Sequence, residues 1–383
     1  SRKALHTVLW DSMALSEVNK KFYEGIAREF TILYQHLIKC GKNHDDAKLF
    51  SSRLLGRLLF IWFLRKKGVI SNEDRYFPQD INDSTKYYNS ILKSLFFQTL
   101  NTPIYARKNG DLNTPYLNGG LFDAHDNDWQ FEETSFPATY FADLFDHLNK
   151  YNFTTDESSP DYEQVAIDPE MLGRVFESLL AEQRTDTGEQ ARKAKGAFYT
   201  PREIVTYMCK ESLRQYLYNE LGDEKYNSGV DKLLDLPDYE WETAHSNAKR
   251  DLWPFENMTK FIPRVVGILD SLAVLDPACG SGAFPMGMLQ LLTKTYERLD
   301  SRFDLYQTKM NIIQNTIFGV DIEPMAVEIS RLRAWLAIIV DDMGEIDPLP
   351  NLDFKFVCAD SLIPLEKSVG LWSDPALQEK MTN

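Results

Sequence analysis

Three short segments in the second half of the chain each run from apolar residues into an acidic side chain. VLDPACGSGAF reaches Asp276, TIFGVDIE reaches Asp321 and DFKFVCADSL reaches Asp360. Apolar runs of this length are typical of buried strands. In a parallel sheet the carboxyl ends of the strands lie at one edge, where α/β proteins bind their ligands. The sequence therefore predicts a ligand site at which three carboxylates meet.

The first segment continues into a turn of small residues that would let a ligand approach the backbone. This turn consists of Pro277, Ala278, Cys279, Gly280, Ser281 and Gly282. Free N–H groups at the start of the following helix could help to hold a carboxylate or a phosphate. A dinucleotide site would need a third glycine three residues after Gly282, but Pro285 occupies that position.

The charge of Asp276 separates two classes of ligand. An acid before the turn repels a phosphate, whereas it attracts a cationic group. S-adenosylmethionine has a cationic amino group, a sulfonium and no phosphate, so it fits this pattern better than a dinucleotide does. In that case Asp276 would face positive charge, Asp321 the ribose hydroxyls and Asp360 the adenine amino group.

Strand and helix patterns alternate from residue 262 onward, which indicates an α/β fold. Strands are expected at 272–275, 316–323 and 353–362, and helices at 283–298, 303–316 and 324–340. This alternation predicts a parallel sheet with helices on both faces. Ahead of it, Thr200 and Glu203 have the spacing of a capping box, with Pro201 as the first residue of a helix.

The first part of the chain is predicted to be helical. Apolar positions in LFSSRLLGRLLFIWFLRKKGVI are too dense for a surface helix, so most of this helix should be buried. Arg53 and Arg57 lie four residues apart on one of its faces. Residues 182–195 contain no large apolar side chain and are charged throughout, which indicates a mobile linker between two domains.

Composition excludes several classes of function. The four cysteines form no CxxC pair and the six histidines offer no HxxxH or HxE spacing, so neither a disulfide framework nor a metal site is expected. No apolar run is long enough to span a membrane, and we expect a protein of the reducing cytoplasm. The net charge is −15, divided as +7 over residues 1–70 and −22 over the rest. Charge alone therefore does not decide for or against a nucleic-acid partner.

Four motifs, in order, resemble those of gamma-class DNA adenine-N6 methyltransferases. VLDPACGSGAF is similar to their first S-adenosylmethionine motif, GAFYTPREIV to the motif that precedes it, FGVDIEPMAVEIS to the ribose motif and CADSL to the adenine-contact motif. In the first half, LFSSRLLGRLLFIWFLRKKG, YLNGGLF and DPEMLGRVFESLL resemble the helical segment of type IIG restriction–modification enzymes of the Eco57I kind. The resemblance covers almost the whole chain.

The resemblance implies a set of contacts with S-adenosyl-L-methionine. Phe198, Tyr199 and Thr200 would border its methionine end, and Asp276, Pro277, Ala278, Cys279, Gly280 and Gly282 would form the floor under it. Asp321 would bind the ribose hydroxyls while Ile322 packs against the adenine, and Asp360, with Ser361 beside it, would accept from the adenine amino group. No residue of this chain is expected to be catalytic.

Several of these residues also have purely structural interpretations. Thr200 could be only a helix cap, because its spacing to Glu203 already explains it. Asp321 could simply end a strand near a helix N-terminus, where an acid is favoured. Cys279 is expected to be a small buried residue rather than a nucleophile.

The resemblance also implies the architecture. A helical connector would occupy 1–181, the linker 182–195, and the cofactor-binding half of a Rossmann-like methyltransferase domain 196–383, with the first three strands of its sheet. The complete enzyme would methylate the adenine amino group in double-stranded DNA within a type II restriction–modification protein. Its acceptor loop would contain a Pro-Pro-aromatic sequence, and this chain has no Pro-Pro dipeptide. We therefore expect a middle fragment that is inactive alone.

Two further expectations follow. The alternative function is a non-catalytic interaction or modification subunit of a multi-subunit restriction system. In addition, the strand at 272–275 would lack its outer neighbour. An apolar strand edge without a partner favours self-association, unless the chain covers that edge itself.

Overall fold

The computed structural model describes residues 21–22, 24–66, 68–108, 111–117, 121–153, 166–167, 200–245, 261–299, 303–339 and 350–363. The expected linker at 182–195, together with Phe198 and Tyr199, lies outside these residues. Within them, no helix is long and apolar enough to cross a membrane. The same residues contain no group of three or more His, Cys, Asp or Glu side chains that could hold a metal ion.

The first half of the described chain is helical. Its helices are α1 (24–39), α2 (His44–Lys66), α3 (Glu73–Tyr76), α4 (Ser84–Tyr87) and α5 (Tyr140–Leu148). Helix α4 continues as π-helical turns at Tyr88–Leu92 and Ser94–Leu100. The short parallel strands β1 (Asn152–Phe153) and β2 (Ala166–Ile167) follow. Helix α2 is buried on all sides from Leu58 to Leu64, as the density of its apolar residues predicts.

Two arginines of α2 lie inside this helical half and share one carboxylate. Asp128 accepts from Arg53 Nη1 and from Arg57 Nη2, each at 3.0 Å. The side chains of Arg57 and Asp128 are each 1% exposed. Arg57 also donates to the carbonyl oxygen of Leu121 at 2.8 Å. The i,i+4 spacing of the two arginines therefore serves a buried ion cluster.

The second half is built around a three-stranded parallel sheet. Its elements are α6 (Arg202–Leu221), α7 (Asn227–Asp235), α8 (Asp238–His245), α9 (Phe261–Asp270), β3 (Val274–Asp276), α10 (Ala283–Leu299), α11 (Leu305–Asn311), β4 (Ile317–Asp321), α12 (Pro324–Ile339) and β5 (Phe356–Cys358). The strand order is β3-β4-β5, and both pairs are parallel. The sheet and its alternation with helices agree with the predicted α/β class.

Helix α6 begins one residue later than the capping-box pattern predicts. It starts at Arg202, and Pro201 is its N-cap residue, with ψ of 145° and no side-chain cap. The carbonyl oxygen of Pro201 accepts from the N–H of Ile204 at 3.0 Å. Thr200 precedes the cap, so the predicted capping box is wrong. The reason is that the Pro201 backbone is extended rather than helical.

The first strand of the sheet is not buried as expected. Strand β3 starts at Val274 rather than at residue 272, and Leu275 at its centre is 62% exposed. Side chains alternate between the two faces of a sheet. On the other face, Ile317 of β4 and Phe356 of β5 are fully buried, because right-handed crossovers place both α10 and α12 on that face. The described crossover helices therefore cover one face of the sheet only.

The outer edges of β3 and β5 differ in whether a side chain covers them. The guanidinium of Arg331 on α12 donates to the carbonyl oxygen of Phe356 at 2.6 Å, and it forms an ion pair with Asp353. This arginine covers the edge of β5. Among the described residues β3 pairs with β4 alone. The edge of β3 remains the one where self-association is expected.

We predict that the chain self-associates through β3 as its concentration rises. Replacing Leu275 with lysine should shift the molecule toward monomer, because a lysine on an edge strand opposes pairing with a second strand. Size-exclusion chromatography with light scattering measures this shift. The control is Phe131→Lys, which changes an apolar side chain that is 96% exposed in the helical half. A parent chain that is monodisperse and monomeric at all concentrations contradicts the prediction.

Candidate functional site

The loops that follow the three strands are joined by hydrogen bonds. The N–H of Cys279 donates to the carbonyl oxygen of Val320 at 2.9 Å, which ties the loop after β3 to β4. The N–H of Ala359 donates to the Asp321 carbonyl oxygen at 3.0 Å. Ser361 Oγ donates to the carbonyl oxygen of Pro277 at 2.8 Å. The segments that the sequence analysis singled out therefore meet at one edge of the sheet.

Asp321 braces this edge through both oxygens of its carboxylate. Oδ2 accepts from the N–H of Gly280 at 2.8 Å, and Oδ1 accepts from the N–H of Glu323 at 2.9 Å. A carboxylate can accept about four hydrogen bonds. Asp321 therefore positions the glycine turn and still has acceptor sites for the hydroxyls of a ligand.

Asp276 has a buried carboxylate oxygen without a hydrogen-bond partner. Oδ1 accepts from the N–H of Ala278 at 3.1 Å, whereas Oδ2 is buried and unpaired. Burial raises the pKa of the Asp276 carboxyl, and the nearby charge of Asp321 raises it further, against the lowering effect of the Ala278 N–H. A buried acceptor without a partner costs free energy. A cationic or hydrogen-bond-donating ligand would remove that cost.

The glycine turn is held by the helix behind it. Gly280 and Gly282 have φ of 54° and 87°, values that favour glycine. A Cβ on Gly282 would lie 3.0 Å from Ser330 Oγ of α12. A ligand is expected to approach this turn, and in the structure Ser330 of α12 is also a close neighbour of Gly282.

Two residues of α12 that the sequence analysis missed contact this turn. Ser330 Oγ donates to the carbonyl oxygen of Gly280 at 2.8 Å. Arg333 Nη1 donates to the carbonyl oxygen of Ser281 at 3.0 Å. Both side chains are buried. A serine and an arginine three residues apart, in a helix apolar enough to be buried, could have indicated these contacts. Both residues lie in the segment PMAVEISRLRAWLAIIV.

Cys279 is packed inside the turn. Burial raises the pKa of its thiol to about 12, and the charges of Asp276 and Asp321 act in the same direction. A thiol with such a pKa is protonated at neutral pH and is a poor nucleophile. A Cβ on Gly319 of β4 would lie 2.9 Å from the Cys279 sulfur. These contacts agree with the expectation of a small buried residue.

The outer side of the site is open to solvent. Ile322 is 61% exposed, and Pro277, Ala278, Asp360 and Ser361 are also exposed. Asp360 uses one oxygen to accept from the N–H of Leu362 at 2.9 Å. The surface therefore offers an apolar side chain and a carboxylate next to the pair formed by Asp276 and Asp321.

Thr200 is half-buried and precedes helix α6. The helix packs closely on α10, where a Cβ on Gly287 would lie 2.5 Å from Val205 Cγ1. Cys209 Sγ also contacts the carbonyl oxygen of Phe284 at 3.7 Å. The start of α6 is thereby fixed against the start of α10, which follows the glycine turn.

No protein-family model matches the chain. A proposed type II restriction enzyme and methyltransferase of Methanocaldococcus jannaschii is 33% identical over an alignment of 339 positions, and the match covers 83% of this chain and 28% of the relative. The adenine-specific methyltransferase BrxX of Escherichia coli is 26% identical over 198 residues, or 49% of this chain and 14% of BrxX. The chain thus spans well under half the length of these relatives.

A solved structure shows the same fold. The type IIL restriction–modification enzyme MmeI, determined in complex with DNA, superposes with a TM-score of 0.54 at 20% identity. The match covers 88% of this chain and 40% of MmeI, so it includes both the helical half and the sheet. Over most of its length the chain is therefore similar in sequence to a restriction–modification methyltransferase, and it shares its fold with part of MmeI.

Proposed function

We propose that the carboxyl edge of β3, β4 and β5 binds S-adenosylmethionine. The observation that carries this proposal is the buried, unpaired Oδ2 of Asp276 beside the Asp321 carboxylate. Two adjacent carboxylates repel a phosphate and attract a cation. The site therefore favours a nucleoside cofactor with positive charge over a dinucleotide.

The residues at this edge fit the parts of that cofactor. Asp276, with Pro277, Ala278 and the Cys279–Gly282 turn, would lie beneath the charged methionine end. Asp321 would accept from the ribose hydroxyls, because its carboxylate retains free acceptor sites. The exposed Ile322 would cover one face of the adenine, and Asp360 would accept from the adenine amino group with Ser361 beside it. Phe198, Tyr199 and Thr200 would border the methionine end.

When bound, S-adenosylmethionine supplies a methyl group on a sulfonium. We propose that the protein to which this chain corresponds transfers it to the adenine amino group of double-stranded DNA, as a type IIG restriction–modification methyltransferase of the cytoplasm. The name of BrxX supports the adenine specificity, and the DNA in the MmeI complex supports the partner. In this chain the described residues would bind and orient the cofactor.

Calorimetric titration of the chain tests the cofactor proposal. We expect binding of S-adenosylmethionine and of its demethylated product, and no binding of NAD⁺, which has the same adenosine but carries phosphates. Asp321→Ala should weaken binding of the product about 10- to 100-fold, as expected when hydrogen bonds to a charged group are lost.

Asp321 also accepts a hydrogen bond from the N–H of Gly280. A second ligand is therefore needed to distinguish this structural role from binding of the ribose hydroxyls. An analogue of the product without ribose hydroxyls should bind the parent more weakly than the product does. It should bind Asp321→Ala about as well as the product does. If the analogue still binds Asp321→Ala more weakly than the product does, the ribose assignment is overturned. Binding of NAD⁺ as tight as that of S-adenosylmethionine overturns the cofactor assignment.

A further inference from the structure

Helix α12 lies between the helical half of the chain and the glycine turn. On one side it packs against α2, where Ser52 and Gly56 face Ile329 and Leu332. On the other side Ser330 bonds to the turn. Successive helical residues are rotated by about 100°, so residues two apart point in nearly opposite directions. Helix α12 can therefore contact α2 and the glycine turn from almost the same position along its axis.

The contact with the helical half is an ion pair. Arg53 donates from Nε and Nη2 to Glu328 Oε1 at 3.1 and 3.0 Å. Its Nη1 donates to Asn127 Oδ1 at 2.8 Å and to Asp128 Oδ1 at 3.0 Å. All these groups except Glu328 belong to the helical half. The guanidinium is buried, so its geometry is fixed by these partners.

Among the described ion pairs of this cluster, Glu328 of α12 supplies the second negative charge. Arg53 and Arg57 bring two positive charges, and Asp128 brings one negative charge. Glu328 brings the second. Buried charges are costly when one partner is removed. The helical half therefore holds α12 at one defined position.

The same position of α12 sets the shape of the turn. Ser330 lies two residues beyond Glu328 and bonds to the carbonyl oxygen of Gly280. A Cβ on Gly282 would already be in tight contact with Ser330, so there is no slack between helix and turn. A shift of α12 would change both the hydrogen bond and this contact. The path from Arg53 to the turn consists of directly touching groups.

We propose that the Arg53–Glu328 ion pair is a positioning element for the glycine turn, through which the helical half of the chain regulates cofactor binding. The regulatory part rests on the proposed binding of S-adenosylmethionine, whereas the positioning of the turn does not. Coupling between two sites is reciprocal for binding free energies. The bound cofactor would therefore also strengthen the docking of the helical half on α12.

Hydrogen exchange of the 383-residue chain, measured by mass spectrometry, tests the positioning. Glu328→Gln keeps the shape of the side chain and removes its charge. We expect amides in 278–282 to exchange about three- to ten-fold faster in this variant, in the range of couplings seen along packed networks. Ser330→Ala should accelerate the same amides while leaving α2 unchanged. This second variant keeps the test valid if Glu328→Gln folds poorly.

The matched control is Asp238→Asn. It also removes a carboxylate from a buried arginine, since Asp238 accepts from Arg298 at 2.7 Å. That pair lies at the end of α10 away from the turn, so general destabilisation without coupling should affect both variants alike. Equal amide exchange at 278–282 in Glu328→Gln and in the parent overturns the proposal, and so does equal acceleration in Asp238→Asn.

Titration with S-adenosylmethionine completes the experiment. We expect Glu328→Gln to weaken binding about three- to ten-fold and Asp238→Asn to leave it unchanged. If exchange at the turn accelerates but the parent binds no cofactor, the proposed function is wrong while the positioning role stands. If the parent binds and Glu328→Gln binds equally well, the regulatory role is overturned.

Discussion

Asp276→Asn is expected to stabilise the chain and to remove most of its affinity for S-adenosylmethionine. Asparagine keeps an oxygen that can accept from the Ala278 N–H, and it removes a buried charge that lies beside Asp321. We expect the free energy of unfolding at neutral pH to rise by up to about 1 kcal/mol, since mutations at partly buried polar sites have effects of this size. Affinity should fall about 10- to 100-fold, because a charged acceptor is lost.

The stability of the parent chain and its affinity for the cofactor are expected to change in opposite directions as pH rises. Since the pKa of Asp276 is raised from 3.8 in the folded chain, the folded state binds more protons than the unfolded state just above pH 3.8. The contribution of Asp276 to stability therefore decreases as pH rises through this window. Affinity for a cationic cofactor should increase over the same window, because the carboxyl becomes charged. Asp276→Asn should show neither dependence.

Thermal unfolding and calorimetric titration across this pH range check both effects. The control is Glu297→Gln, which removes an exposed charge from α10 and should change both quantities little. Loss of stability in Asp276→Asn would show that the Asp276 charge is compensated in the folded chain. Unchanged affinity would contradict the contact with the cofactor.

Asp128→Asn is expected to cause the largest loss of stability. Asp128 is 1% exposed and bonds to Arg53 and Arg57 at once. Removing one partner from a buried ion pair costs about 3–5 kcal/mol, because the remaining charge stays buried without compensation. Urea unfolding measures the change. Asp126→Asn alters an exposed acid in the same turn and should stay within about 0.5 kcal/mol of the parent. Similar values for the two variants contradict the prediction.

Acid should weaken the same cluster. Burial alone would raise the pKa of Asp128, but the guanidiniums of Arg57 and Arg53 and the His125 N–H together lower it below 3.8. A lowered folded-state pKa means that the stabilisation is complete above the ordinary pKa of the carboxyl. It is lost as pH falls through the lowered value. Asp128→Asn should therefore unfold with less dependence on pH below about 4.

The local part of the fold was predictable from the sequence. Apolar runs that end in Asp276 and Asp321 predicted neighbouring parallel strands, and a proline at 324 predicted the start of α12. The limits of the strands were less predictable, because an apolar run does not show where the ladder of hydrogen bonds begins. Likewise, the helix expected at 303–316 ends as α11 at Asn311 and continues as a π-helical turn.

The site was predictable in its acids but not in its supports. The strand ends identified Asp276, Asp321 and Asp360 because all three follow apolar runs. Ser330 could not be assigned to Gly280, since the two residues are 50 positions apart in sequence. Which partner fills a tight space, a ligand or a helix, depends on such long-range packing. For the same reason the spacing of Arg53 and Arg57 gave no indication of Asp128.

The separation between Arg53 and Glu328 has a consequence during synthesis. The two residues are 275 positions apart, so at roughly 5–20 residues per second Arg53 leaves the ribosome about 14 to 55 seconds before its partner. Asp128 emerges much earlier and can neutralise one of the two arginines in the meantime. Until α12 is synthesised, the nascent helical half would thus carry one arginine charge without a partner. Glu328 of α12 would then neutralise that charge.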